Sequence, residues 1–400
     1  MRAGCAHVPL KEVAAINPRL TEPPRADEAV SFVPMAELLA AEARTTAGEL
    51  RRFSELSNGY SQFRRDDVLV AKITPCFENG KIGRATIGTA IGAGSTEFHV
   101  IRPDPRRLDT SYALHFIRRS DVRQRGILRM TGSAGQRRVP ASFLEALKIP
   151  LPPLDEQQRI AQVLNAASQV RAKRISSIEL LDALRDAVFL TMMLPAPTSW
   201  PLIPVSDLID GSRGGIRTGP FGSQLLHSEF VDAGVAVLGI DNAVTNEFRR
   251  SAQRYISDAK YQQLRRYTVN PRDVLITIMG TCGRAAVVPD DIGLAINTKH
   301  LCCISLDESK CLPSFLHAYF LRHPLSQRYL LLRARGAIMA GLNMRIIKDL
   351  PVLLPPIEIQ ARLEAQFAGI DRMREKMIMH NRQLEALFDC LEHRAFSGEL

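Results

Sequence analysis

The amino-acid sequence predicts an α+β protein: two mixed α/β domains, related by a pseudo-two-fold, separated by two long helices that pair antiparallel as a coiled coil. Three observations predict it. The chain repeats itself at an offset of about 200 residues, the scale of a duplicated domain rather than of a short solenoid repeat. Each copy ends in a double-proline stop, and each stop opens a long helix with apolar residues at heptad spacing.

The first domain spans residues 1–154 and the second 199–356. In each, a β-branched run flanked by turn residues reads as a strand: Val68 to Ile73, and Val274 to Met279. Asp67-Val68-Leu69-Val70 matches Asp273-Val274-Leu275-Ile276 at an offset of 206, and Phe116-Ile117-Arg118 matches Phe320-Leu321-Arg322 at 204. Leu151-Pro152-Pro153-Leu154-Asp155-Glu156-Gln157 returns as Leu354-Pro355-Pro356-Ile357-Glu358-Ile359-Gln360 at 203. Matches in one order at a nearly constant offset make the chain a tandem duplication.

Helices follow at residues 155–194 and 357–395. Proline is tolerated just ahead of a helix, and Asp155, Glu156 and Glu358 complement the dipole of the first turns. Leu363, Ile370, Met377, Leu384 and Leu391 recur every seven residues, with Phe367 and Phe388 near the second seam position. Ile160, Leu164, Ile178, Leu181 and Val188 give the corresponding seam in the first helix, where Arg174 is the exception. Pro195 and Pro197 end that helix. About 38 residues at about 1.5 Å each make a rod of roughly 57 Å. Separate amphipathic helices would seldom be so long, so pairing is expected.

The net charge of +10 favours a polyanionic partner, and composition alone does not separate DNA from RNA or an anionic membrane. No apolar run is long enough to cross a bilayer, and the start lacks a secretory h-region, which predicts a cytoplasmic protein. Seven cysteines without a C-x-x-C pair read as small buried hydrophobes, with metal ligation the weaker alternative, so no metal is expected.

The duplicated Leu-Pro-Pro junction leading into a long helix resembles the specificity subunits of type I restriction–modification enzymes. Ala71-Lys72-Ile73-Thr74-Pro75-Cys76-Phe77-Glu78-Asn79-Gly80-Lys81 and Thr218-Gly219-Pro220-Phe221-Gly222-Ser223-Gln224-Leu225 resemble that family's target-recognition domains. The second junction departs from the first in having Ile359 where the first has Glu156. The resemblance implies a non-catalytic subunit without cofactor that reads an asymmetric, bipartite double-stranded DNA target. It also implies a helical pair that sets the unread spacer and docks two methyltransferase subunits, through which restriction subunits join. The rod compares with about 34–36 Å per turn of B-DNA, so half-sites one to two turns apart are in reach.

Phosphate contacts give affinity and base-edge contacts give specificity, so candidates come from turn-rich stretches beside strands. In the first domain these are Lys72, Thr74, Asn79, Lys81, Arg84, Gln136, Arg137 and Arg138. In the second they are Arg217, Thr218, Ser223, Gln224, Lys299, Arg333, Arg335, Asn343 and Arg345. Any one of them is also readable as ordinary solvated surface. The run Arg118-Arg119, Arg123, Arg125, Arg129 is spaced like a helix face for phosphate, partner or solvent.

Catalytic patterns are incomplete. Pro289-Asp290 with Glu308-Ser309-Lys310 fits only a degenerate nuclease pattern. Both Asn-Pro steps, Asn17-Pro18 and Asn270-Pro271, run into arginine and cannot form the loop that holds a flipped adenine. Gly80-Lys81 is followed by Ile82, so a P-loop lacks its hydroxyl. The alternative is a DNA-cleaving or modifying enzyme, or a recognition module separated from a fused restriction–methylation enzyme.

Overall fold

The structure, a computed structural model, describes residues 6–56, 58–133, 135–194, 196–250, 254–334 and 341–400. The chain divides into two compact units, Met1–Ile178 with Met377–Leu400, and Glu179–Lys376.

In the first unit the strand Val68–Ala71 is buried on both faces, which is why its residues form a continuous apolar run without alternation. It is central to a six-stranded sheet ordered Ala14–Ile16, Phe98–Pro103, Val68–Ala71, Ile82–Arg84, Arg44–Thr45 and Leu38–Leu39. Val68 pairs antiparallel with Ile101, which fixes the register of both long neighbours. A second sheet places Ile91–Gly94 between Ala29–Val33, parallel, and Ser61–Arg64, antiparallel.

The second unit repeats the plan. Val274–Thr277 lies in a four-stranded sheet ordered Ile216–Thr218, Leu301–Ile304, Val274–Thr277 and Ala285–Val287, with Val274 opposite Ile304. In its other sheet, Ala295–Asn297 sits between Val235–Leu238, parallel, and Thr268–Val269, antiparallel. Cys302 and Cys303 are buried in the strand Leu301–Ile304, and burial pushes the Cys302 thiol up to about 12. Cys302 packs as a small hydrophobe, whereas the Cys303 thiol donates to Asp273 Oδ2 at 3.2 Å.

Each unit closes its domain with a two-stranded ribbon that feeds a long helix. His7–Pro9 pairs with Lys148–Pro150, and Leu202–Pro204 with Pro351–Leu353. The helices run Leu154–Met193 and Ile357–Ser397. A buried glutamine locks each helix to its domain. Gln157 Nε2 donates to the Arg107 and Pro152 carbonyls at 2.9 and 2.8 Å, and its Oε1 accepts from Asp109 N at 2.9 Å. Gln360 does the same with Lys310 and Pro355 at 3.0 and 2.9 Å, and with Leu312 N at 2.8 Å. The repeated junction is therefore a helix clamp, a role its glutamine did not disclose in the sequence.

Within each unit the two helices pair antiparallel. In the first, Arg159 donates to Leu400 O at 2.8 Å and Arg171 stacks 4.6 Å from the Phe388 ring. In the second, Arg374 meets Asp182 at 3.1 Å and Arg185 meets Asp371 at 2.8 Å. Of the expected seam, Ile160, Leu164, Leu181, Leu363, Phe367 and Ile370 are buried. Ile178, Val188, Met377, Leu384 and Leu391 are half-buried. The helix ends also complete the domain cores. Phe396 packs 5.0 Å from the Tyr112 ring, and Phe189 and Met193 join Phe315, Phe320 and Leu363. No helix among the described residues is long and apolar enough to cross a membrane.

Candidate nucleic-acid interface

In the first domain the extension of strand Val68–Ala71 meets the segment 136–139. Thr74 N donates to Arg137 O at 2.9 Å, and Val139 N donates to Lys72 O at 2.8 Å. This brings Lys72, Thr74, Arg137 and Arg138 together, with Asn79 and Gln136 exposed on the adjoining loops. Arg138 grips Glu97 through Nε and Nη2 at 3.0 and 2.8 Å, and this hydrogen bonding holds the Glu97 carboxyl below its ordinary range. Arg137 keeps only a loose contact with Glu78, at 3.9 Å.

Two candidates are engaged within the fold. Lys81 Nζ donates to Met35 O at 2.7 Å, and Arg84 pairs with Asp66 at 2.8 Å. Of the arginine run, Arg118 is half-buried with its guanidinium turned into the fold. It donates to the Ile82 and Ala40 carbonyls at 2.6 and 2.8 Å, and burial lowers it to about 10.

Beside Lys72 an open cleft is lined by Asn17, Arg19, Tyr60, Gln62 and His99, residues that sequence reasoning missed. His99 Nε2 lies 2.8 Å from Val139 O, and its Nδ1 lies 3.1 Å from Asn17 Nδ2. That pattern fits the neutral ring with its proton on Nε2, and burial lowers the imidazole pKa in the same direction. Asn17, at φ 50°, also accepts from Val100 N at 2.9 Å. It thus ties the chain after Ala14–Ile16 to the strand beneath the cleft.

In the second domain Arg217 requires correction. It is buried, donating through Nη2 to Asp273 at 2.8 Å and through Nη1 to Ser305 Oγ at 3.0 Å, so its guanidinium serves the interior and not a DNA surface. The charge sits on a strand, and its acid lies 56 residues away in the chain, so nothing local marked it as structural. Thr218 ends the same strand opposite Cys302. A Cβ on Gly219 would overlap the Asn297 carbonyl, so the loop bearing Ser223 and Gln224 lies against the segment that carries Lys299. Asn343 caps the short helix Met344–Lys348 by accepting from Ile346 N at 3.0 Å, and Arg345 is exposed within that helix. Arg333 is exposed, 5.1 Å over the Tyr329 ring. Arg335 lies outside the described residues.

Two of the degenerate nuclease residues are held in ion pairs. Glu308 binds Arg272 at 2.7 Å and Arg213 at 3.4 Å, while Lys310 binds Asp307 at 3.1 Å. No group of three or more His, Cys, Asp or Glu residues placed to hold a metal occurs among the described residues. What the loops present is hydrogen-bond donors and cations beside the strands.

Residues 8–180 match the family described as type I restriction modification DNA specificity domain. Two Escherichia coli relatives, the type I restriction enzyme EcoEI and EcoAI specificity subunits, are each 35% identical over 195 and 175 residues. Those segments cover 47% and 42% of this chain but only 32% and 30% of the two subunits, about a third of their length. The E. coli EcoBI specificity subunit is 25% identical over 68% of this chain and 62% of its own length. Among solved structures, a chain from a type I R-M system assembly superposes with TM-score 0.65 at 17% identity, covering 100% of this chain and 99% of that one. The type I S subunit from M. genitalium gives 0.56 at 14%, covering 99% and 97%. At such identities these two speak for the fold alone. Over the matched segments the chain is similar to specificity subunits of type I restriction–modification systems. The family match itself covers residues 8–180, and the second half repeats the same sheet order.

Proposed function

We propose that this chain is the sequence-specific DNA-recognition subunit of a cytoplasmic type I restriction–modification complex. Residues 1–154 read one half of an asymmetric bipartite target and residues 199–356 read the other. The helices at 155–194 and 357–395 set the spacer and dock two methyltransferase subunits, through which restriction subunits join. The chain needs no cofactor and contributes no catalysis of its own.

The observation that carries this reading is the repetition of one sheet plan under different loops. Lys72, Thr74, Asn79 and the 136–138 segment occupy the first domain, whereas Thr218, Ser223, Gln224 and Lys299 occupy the second. One scaffold with two side-chain sets reads two unlike half-sites. The purified chain, alone and with the methyltransferase encoded beside it, is to be tested by footprinting and by methyl transfer. The expected result is protection of two short segments separated by an unprotected-sequence spacer, with methyl transfer only in the mixture. Cleavage or methyl transfer by the chain alone, lost on Asp290→Ala, would favour the enzyme alternative.

A further inference from the structure

The loop Thr218 to Leu225 holds an aromatic side chain in solvent by several independent constraints. Phe221 is 47% exposed. A lone exposed apolar residue is ordinary, but this one sits on a loop with little freedom. Gly219 has no space for a Cβ against the Asn297 and Thr298 backbone, so the loop base is seated on the neighbouring segment. Pro220 fixes its own φ, and Gly222 takes φ 56°, a left-handed conformation that suits glycine. Gln224 closes the turn: its Oε1 accepts from Phe221 N at 3.2 Å and from the Tyr267 hydroxyl at 2.9 Å. Tyr267 is held in turn by Arg266, whose Nη2 donates to that hydroxyl at 2.7 Å with the guanidinium 4.7 Å from the ring. Gln224 therefore braces Phe221.

The surroundings select the partner. No carboxylate occurs in the sequence between Asp210 and Glu229, while Arg266 reaches the loop through Tyr267, and Lys299 follows the Asn297–Thr298 segment on which Gly219 is seated. Glu229 itself is occupied by Lys260 at 2.6 Å and by Leu226 N at 2.7 Å. A rigid apolar tip set among donors and cations fits a nucleic-acid surface, where phosphates meet the charges and a base meets the ring. We infer that Phe221 makes the apolar base contact of the half-site read by the second domain, with the Gln224–Tyr267–Arg266 chain as its brace. This inference rests on the proposed DNA-recognition function.

The test uses the complex of the full chain with its methyltransferase, and measures binding to the target and to variants changed in one half-site at a time. Phe221→Ala is expected to reduce discrimination in the second half-site about tenfold, with discrimination in the first half-site unchanged. Phe221→Leu keeps an apolar contact without an aromatic face. Replacing thymine by uracil in that half-site removes only a methyl group. If uracil matches Phe221→Ala, the contact is to the methyl, and if Phe221→Leu matches it, the contact is stacking. Gln224→Ala is expected to give a smaller loss confined to the same half-site. Full discrimination in a folded Phe221→Ala complex overturns the inference and leaves DNA recognition standing. Loss of methyltransferase association also overturns it, since the residue would then serve a protein contact. Absence of sequence-specific binding by the wild-type complex overturns the DNA reading itself.

Discussion

At the scale of single residues, the duplication preserves an acid and relocates its partner. Asp67 accepts from Arg64 N at 2.7 Å and pairs with Arg102 at 2.6 Å, and Asp273 accepts from Asn270 N at 2.9 Å and pairs with Arg217 at 2.8 Å. Arg102 lies on the strand Phe98–Pro103, whereas Arg217 lies on Ile216–Thr218, the sheet neighbour of the equivalent strand. Two sequences thus reach one electrostatic solution from adjacent strands. Removing Asp273 leaves the Arg217 charge buried and unpaired, which costs about 3–5 kcal/mol. Removing the Gln360 amide orphans a backbone N–H and two carbonyl contacts, which costs about 1–3 kcal/mol. Trp200, the only tryptophan, packs on the second unit's core and reports its unfolding. Urea denaturation followed by Trp200 fluorescence should therefore show a larger loss for Asp273→Ala than for Gln360→Leu. Equal or reversed losses would contradict the assigned roles.

At the scale of elements, the long helices were the most legible part of the sequence. Their heptads announced a buried seam, and the seam residues are buried or half-buried. Periodicity says that a face is covered without saying by what. It did not show that Phe189, Met193, Phe388 and Phe396 enter domain cores. Strands of two to four residues, such as Arg44–Thr45, are too short for any pattern to resolve. The candidate site was legible only as regions, because whether a cation faces solvent or a distant acid depends on tertiary pairing, as Arg217 and Arg118 demonstrate. The burial of one acid on the second helix was illegible for the same reason. Glu392 is raised to about 7 by burial, against the opposing pull of Arg119, Arg118 and Arg171. A carboxyl whose folded pKa exceeds its unfolded value contributes stability that is complete below about 4.5 and lost as pH rises through about 7. Glu392→Gln escapes that loss. Its unfolding free energy should equal wild type near pH 4.5 and exceed it by about 1–3 kcal/mol at pH 8, by calorimetry or circular dichroism. A variant no more stable than wild type at pH 8 would show that the carboxylate is solvated.

At the scale of the whole molecule, duplication explains both the shared frame and the divergent loops. Two copies of one domain are each clamped by a glutamine to the start of its own helix, and loops tolerate change better than the elements they join. Independence of the two readers is the central claim, and it appears in the methylation pattern of a host genome. The decisive measurement is methylome sequencing of the host with the gene intact, deleted, and carrying residues 1–150 replaced by the corresponding domain of another specificity subunit. The account predicts one asymmetric bipartite motif that vanishes on deletion and changes in only one half on replacement. Methylation that survives deletion, or a replacement that changes both halves, would contradict it.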